Sequence, residues 1–273
     1  MKTALYTTQP KTKGSVTLVG AGPGDPELLT IKAAKAIASA SVILIDDLVN
    51  EEVLTHANPN ARIVYVGKRG GCKSTPQAFI ERMMIAEAKA GETVIRLKGG
   101  DPMFFGRAGE ELAALSTANV PCSVVNGITS GLAAATSLHM PLTHRDYAHG
   151  VVFVTGHAAP GGAATNWAEL GKTASALKLT LVIYMGVSQA QLIEQGLSMH
   201  LDLATPVALI QNASSAQEVR VITTLADLTA CLERESLASP LVMVIGDVVK
   251  VAQIMPQLCV SSVQDGYNAR LVA

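Results

Sequence analysis

The chain has 273 residues, 49% of them hydrophobic, 16% charged and 4% aromatic, with a formal net charge of −1; that content fills cores, and the absence of a basic block excludes nucleic acid as a partner. The four cysteines, Cys72, Cys122, Cys231 and Cys259, lie far apart with no Cys-x-x-Cys pair, so no zinc ribbon or disulfide framework is expected and reduced thiols in the cytoplasm are. Residues 1–13 lack an apolar signal core, and the run Pro240 to Ile254 is broken by Asp247 and Lys250 before spanning length, so a protein without a membrane partner is expected.

Residues 1–13 are polar, carry Pro10 with Lys2, Lys11 and Lys13, and read as an arm. The apolar run Val16 to Val19 then leads into Gly20-Ala21-Gly22-Pro23-Gly24-Asp25-Pro26. A dinucleotide fingerprint wants a third glycine where Asp25 stands, and Pro23 removes an amide from the turn. A phosphate would therefore lose a donor and meet a carboxylate, so an adenosine ligand without phosphate fits better. Asp25 is the expected N-cap of a helix over Pro26 to Ser39, with Pro26 in its first turn and Glu27 favouring its positive end.

Further β-branched runs follow at Val42 to Ile45, Ile63 to Val66, Val94 to Leu97 and Ser123 to Val125, separated by helical patterns at Pro76 to Ala90 and Ala108 to Thr117. This alternation predicts a parallel α/β sheet. Strands resume at Val151 to Thr155, Thr180 to Met185, Pro206 to Gln211, Glu218 to Thr223 and Leu241 to Ile245. The short segment Asn212 to Gln217 reads as a hairpin connection, so the second sheet is expected to be mixed. The change of rhythm predicts two α/β domains, over 14–140 and 141–255, joined near 138–148, with a tail at 256–273. Ala158 to Thr165, rich in Gly and Ala, reads as a loop or a lid.

Several strings occur in a fixed order: the opening glycine loop, Asp46-Asp47-Leu48-Val49-Asn50, Gly67-Lys68-Arg69, Arg96-Leu97-Lys98-Gly99-Gly100-Asp101-Pro102, Phe105-Gly106-Arg107, Gly127-Ile128-Thr129-Ser130, Thr143-His144-Arg145-Asp146-Tyr147-Ala148 and Thr155-Gly156-His157. Together, over about residues 14 to 255, they closely resemble the tetrapyrrole methylase family, and within it the branch acting on uroporphyrinogen III. The resemblance implies two α/β domains with the active site in the cleft between them. It also implies a homodimer that uses S-adenosyl-L-methionine, releases S-adenosyl-L-homocysteine and needs no metal. The implied reaction methylates uroporphyrinogen III twice, through precorrin-1 to precorrin-2, for sirohaem or cobalamin biosynthesis.

The donor site implied by the resemblance comprises Pro23, Gly99, Gly100, Asp101, Phe104, Thr129, Ser130, Met185 and Ala213. Most are small or expose backbone, which permits close approach of a folded ligand. Read alone, each glycine is equally an ordinary strand-to-helix turn, and Asp101 either binds the ligand's amino group or holds its own loop. Phe104 departs from the smaller aliphatic residue common at that place. Asp46, at a strand's carboxyl end, matches the family's proposed catalytic acid, with Asp47 as its neighbour-rival, and Lys68 matches the second catalytic position. A pyrrole methylated at carbon is iminium-like and must lose a proton, which a nearby carboxylate can accept or stabilise.

The acceptor's carboxylates call for cations, and Arg69, Arg107, His144 and Arg145 are the candidates beside Lys68; Lys73 has less support. The histidines show no metal-ligand spacing. Two other classes stay open: a nicotinamide oxidoreductase, from the glycine loop and the Asp46-Asp47 pair, and a catalytically silent cofactor-binding module. A family member with another corrinoid acceptor is the nearer rival. No dehydrogenase–ferrochelatase module is expected in this length of chain.

Overall fold

The structure, a computed structural model, describes residues 14–67, 75–157 and 161–254. The expected arm, the tail, Lys68, Arg69, Lys73 and Ala158 to Pro160 lie outside the described residues. The chain divides into two compact units, residues 1–129 and 130–273.

The first unit contains β1 (Ser15–Gly20), α1 (Ile31–Ala38), β2 (Val42–Ile45), β3 (Arg62–Tyr65), α2 (Gln77–Lys89), β4 (Thr93–Lys98), α3 (Ala108–Thr117) and β5 (Cys122–Val125). The strands form one sheet in the order β3-β2-β4-β1-β5, and every pairing is parallel. All four residues of β2 are buried, because helices cover both faces of the sheet. Val16, Leu18 and Leu44 pack with Met84 and Leu115 on one face. Val19, Ile43 and Ile45 pack with Ala33 and Ile37 on the other. Each of these Val, Leu, Ile and Met side chains, fully buried, stabilises the unit by about 1.5–3 kcal/mol.

The helix expected over Pro26 to Ser39 is interrupted. A single 3₁₀ turn spans Pro26–Leu28, capped as expected by Asp25, whose Oδ1 accepts from the Glu27 amide at 2.8 Å. Leu29 is extended, and α1 starts afresh where Thr30 Oγ1 accepts from the Ala33 amide at 3.1 Å. Two side-chain caps five residues apart in effect compete for one helix start, and both are used.

The second unit contains α4 (Ser130–Ser137), β6 (Gly150–Thr155), α5 (Trp167–Leu177), β7 (Leu179–Tyr184), α6 (Ala190–Leu197), β8 (Pro206–Gln211), β9 (Val219–Thr224), α7 (Leu228–Arg234), β10 (Leu241–Ile245) and α8 (Val249–Ile254). Its sheet runs β6-β7-β10-β8-β9. Only β6 and β7 pair in parallel; β10 lies antiparallel to β7 and β8, and β8–β9 form the expected hairpin. Leu181, Ile183, Leu209 and Met243 pack under α5, α6 and α7, while Val182, Ile210, Val242 and Val244 face α4 and α8.

The division therefore falls at Thr129/Ser130, earlier than the joint expected near 138–148. Ala134 and Ala135 of α4 bury against Val182 and Val244, so this helix belongs to the second core. A composition shift marks where strands resume, not which core an intervening helix joins. The Gly131 amide also donates to the Tyr184 hydroxyl at 2.7 Å. No helix among the described residues is long and apolar enough to cross a membrane.

Backbone meets backbone at the carboxyl edge of the first sheet. A Cβ on Gly20 would stand 2.6 Å from the Gly100 carbonyl oxygen, and one on Gly127 would overlap that same oxygen. Gly127→Ala is accordingly expected to destabilise the protein by about 1–3 kcal/mol through overpacking, read as a lower midpoint in urea. Burial pushes the Cys231 thiol up from its ordinary value. The stability tied to that thiol is complete below the ordinary thiol range and falls as pH rises into the shifted one. At neutral pH, iodoacetamide should label exposed Cys122 in the folded protein and leave Cys231 untouched until unfolding, as peptide mass mapping will report.

Candidate active site

In a parallel sheet the loops that follow the strands gather on one edge. Here that edge carries the opening glycine loop after β1, Asp46 after β2, Gly99-Gly100-Asp101 after β4 and Asn126-Gly127 after β5. The first and third are stitched together: the Gly22 amide donates to the Gly100 oxygen at 3.2 Å, the Gly100 amide returns to the Gly22 oxygen at 2.6 Å, and the Ala21 amide donates to the Lys98 oxygen at 2.8 Å. These amides are committed to carbonyls, and Pro23 has none. Those amides are therefore not free to cradle a pyrophosphate.

Asp101 was left with two roles by the sequence, and the hydrogen bonds of its carboxylate bear on the second of them, holding its own loop. Its buried carboxylate accepts from the Met103 amide at 2.7 Å, from Asn126 Nδ2 at 3.1 Å and from the Gly127 amide at 3.1 Å. Asp101 thus ties the loop after β4 to the loop after β5. Phe104 is half-exposed on this loop and meets Phe105 edge to face, ring centres 6.5 Å apart. Thr129, buried, closes the unit.

Asp46 stands over a buried charge cluster that the sequence reading did not single out. Arg96 Nη2 donates to Asp46 Oδ1 at 2.7 Å, and Arg96 Nε to Glu111 Oε1 at 3.2 Å. Lys98 Nζ lies 3.2 Å from Glu111 Oε1 and 3.9 Å from Asp46 Oδ2, while Gln77 Nε2 donates to Glu111 Oε1 at 3.1 Å. Arg96, Lys98 and Glu111 are buried, whereas the Asp46 side chain keeps 28% of its surface open. Burial, and then repulsion from Arg96, pushes the Lys98 ammonium down against the pull of Glu111 and Asp46. Two cations and two carboxylates balance, which lets them be buried together; deleting one member of such a set typically costs about 3–5 kcal/mol. The signal was present in the sequence: Arg96 and Lys98 alternate in a strand otherwise apolar, so both point to one face and require a carboxylate there.

The expected acceptor cations fare differently. Arg107 is exposed and pairs in bidentate fashion with Glu110 of its own helix, at 2.8 and 2.6 Å. In the second unit, His144 and Arg145 occupy the tight turn closed by the His144–Ala148 backbone pair. His144 Nδ1 accepts from the Asp146 amide at 3.2 Å, and its ring lies 4.8 Å from that of Tyr147. Arg145 is exposed.

Of the expected donor residues in that unit, Ser130 starts α4. Met185, 45% exposed and left-handed at φ 54°, follows β7. Ala213 is buried after β8 between two more left-handed residues, Asn212 and Ser214. β7 and β8 run the same way, so Met185 and Ala213 lie on one edge of the second sheet. Left-handed non-glycine residues store strain that surrounding structure must hold, a recurrent property of ligand-contact positions.

A doubly covered parallel sheet with a glycine-lined carboxyl edge, followed by a mixed sheet, matches solved α/β methyltransferase structures. The chain belongs to the tetrapyrrole methylase family: residues 15–229 match the family described as Tetrapyrrole (Corrin/Porphyrin) Methylases. It is 47% identical over 240 residues to a uroporphyrinogen-III C-methyltransferase of Pseudomonas aeruginosa, covering 87% of this chain and 95% of that one. It is 46% identical over 242 residues to siroheme synthase 2 of Aeromonas hydrophila, covering 88% of this chain but 50% of that longer protein. Among solved structures, the uroporphyrin-III C-methyl transferase of Thermus thermophilus complexed with S-adenyl homocysteine superposes with a TM-score of 0.74 at 39% identity, covering 87% of this chain and 94% of the other.

Asp101→Ala should release three donors at once and cost about 1–3 kcal/mol. Faster amide exchange at Met103 and Gly127 than elsewhere in the unit will register it.

Proposed function

We propose that the protein transfers methyl groups from S-adenosyl-L-methionine to uroporphyrinogen III, twice, giving precorrin-2 through precorrin-1. One geometric observation carries this reading: the opening loop spends the Ala21 and Gly22 amides on the Lys98 and Gly100 carbonyls and holds Asp25 as a cap, which suits a phosphate-free adenosine ligand. The named relatives support the acceptor, since nearly the whole of this chain corresponds to one that carries that activity in its name. A nicotinamide dinucleotide would find neither the third glycine nor those amides.

Methyl transfer from a sulfonium is an in-line displacement in which charge on sulfur disappears, so alignment of donor and acceptor supplies much of the rate. In this reading Pro23, Gly99, Gly100, Phe104 and Thr129 of the first unit, and Ser130, Met185 and Ala213 of the second, contact the donor. Asp101 holds the Gly99–Gly100 turn in place. Asp46 faces the positive charge that develops on the methylated pyrrole and accepts the proton it sheds. Lys68 is its catalytic partner, as proton donor or carboxylate anchor, and Arg69, Arg107, His144 and Arg145 meet the acceptor's carboxylates. For Arg107 this requires exchanging Glu110 for a substrate carboxylate, a like-for-like swap at an exposed site. A homodimer in the cytoplasm, with its product passed to sirohaem or cobalamin biosynthesis, completes the proposal.

Anaerobic incubation with uroporphyrinogen III and labelled S-adenosyl-L-methionine should deliver two methyl groups per macrocycle; none would sink the reading. Asp46→Asn should lower turnover by roughly 10²–10⁴-fold, while thermal stabilisation by S-adenosyl-L-homocysteine stays as in the parent and NAD gives none.

A further inference from the structure

We infer that Glu111 is a positioning residue for the methyl transfer: acting through Arg96 and Lys98, it fixes the carboxylate of Asp46 at the sheet edge and keeps one of its oxygens open. The inference rests on the reading of Asp46 as the reaction's carboxylate.

Glu111 lies on α3, wholly buried, and reaches the edge only through its neighbours. The Arg96 guanidinium is planar, and it holds Glu111 Oε1 on its Nε side and Asp46 Oδ1 on an Nη2 hydrogen. A rigid fork clamped at one carboxylate sets the angle at which it presents itself to the other. The remaining Arg96 nitrogen is steered toward the Leu44 and Leu97 carbonyl oxygens, each 3.4 Å away, so the fork is fixed against the sheet itself.

Lys98 supplies the second half of the device. Its ammonium stands between two carboxylates, 3.2 Å from Glu111 and 3.9 Å from Asp46 Oδ2. Removal of the Glu111 charge would leave both buried cations a single carboxylate to share. Lys98 would then close on Asp46 Oδ2, and a carboxylate engaged at both oxygens is a poorer acceptor for a proton. As built, Lys98 stands closer to Glu111 than to Asp46 Oδ2, and the Asp46 side chain keeps 28% of its surface open.

Helix packing alone does not call for a carboxylate at this place. Ala108 and Leu115 already bury the same face of α3, and an apolar residue would fill position 111 without desolvating a charge. Glu111 Oε2 moreover has no hydrogen-bond partner among the described residues, a cost a purely structural glutamate would avoid.

The test is a double-variant cycle on single-turnover methyl transfer to uroporphyrinogen III. Glu111→Gln should slow transfer roughly 10- to 100-fold in the parent protein, with unchanged affinity for S-adenosyl-L-homocysteine. In the Asp46→Asn background the same substitution should cost nothing further, because the group it positions is gone. Equal losses in both backgrounds, or no loss in the parent while Asp46→Asn alone is crippled, overturn the inference and leave the reading of Asp46 intact. A full rate in Asp46→Asn alone overturns that reading, and the inference with it. If Glu111→Gln fails to fold, Glu111→Asp, which keeps the charge but is too short to hold the Arg96 fork, is carried through the same cycle with the same expected pattern.

Discussion

Four charged side chains, Asp46, Arg96, Lys98 and Glu111, meet beneath the carboxyl edge of the first sheet, and the candidate chemistry rests on their mutual neutralisation. Each would be prohibitive to bury alone. Together they let a central strand carry two cations into an apolar layer and deliver one partly open carboxylate to the surface. The cluster joins the ends of β2 and β4 to the first turn of α3, so the position of Asp46 is set by the core of the unit and not by its loop alone.

The same edge is held by a second device of a different kind. Asp101 gathers donors from two loops, and Gly20 and Gly127 let their backbone approach that of Gly100 to distances no side chain would allow. Gly100, first read as ligand-facing, thus serves the packing of loop on loop through its backbone pair with Gly22. A surface held rigid by hydrogen bonds it has already satisfied offers shape more than free donors, which suits an adenosine moiety better than a phosphate. In the second unit, rigidity comes instead from left-handed residues at Met185, Asn212 and Ser214, held by the ends of buried strands.

Much of the architecture was legible beforehand, and the reasons are local. β2, β8 and β10 are short β-branched or apolar runs bounded by turn residues, and their limits fall where the pattern puts them. α3 does too, since its period is uninterrupted. The stretch from Pro26 was harder because Asp25 and Thr30 are both sound caps, and choosing between them depends on where Ala33 and Ile37 must land in the core. α4 was hard to assign for a similar reason: it is rich in alanine, and its partner sheet comes later in the chain.

The sequence by itself determined the family, the alternating α/β plan, the change to a mixed sheet and the unsuitability of the first loop for pyrophosphate, because each depends on residues close together in the chain. Tertiary structure alone decided that Asp101 latches two loops and that Arg96, Lys98 and Glu111 lie under Asp46. Those outcomes depend on distances between residues up to 65 positions apart, as from Asp46 to Glu111, and only the closing of a sheet brings such groups within reach of one another's charge.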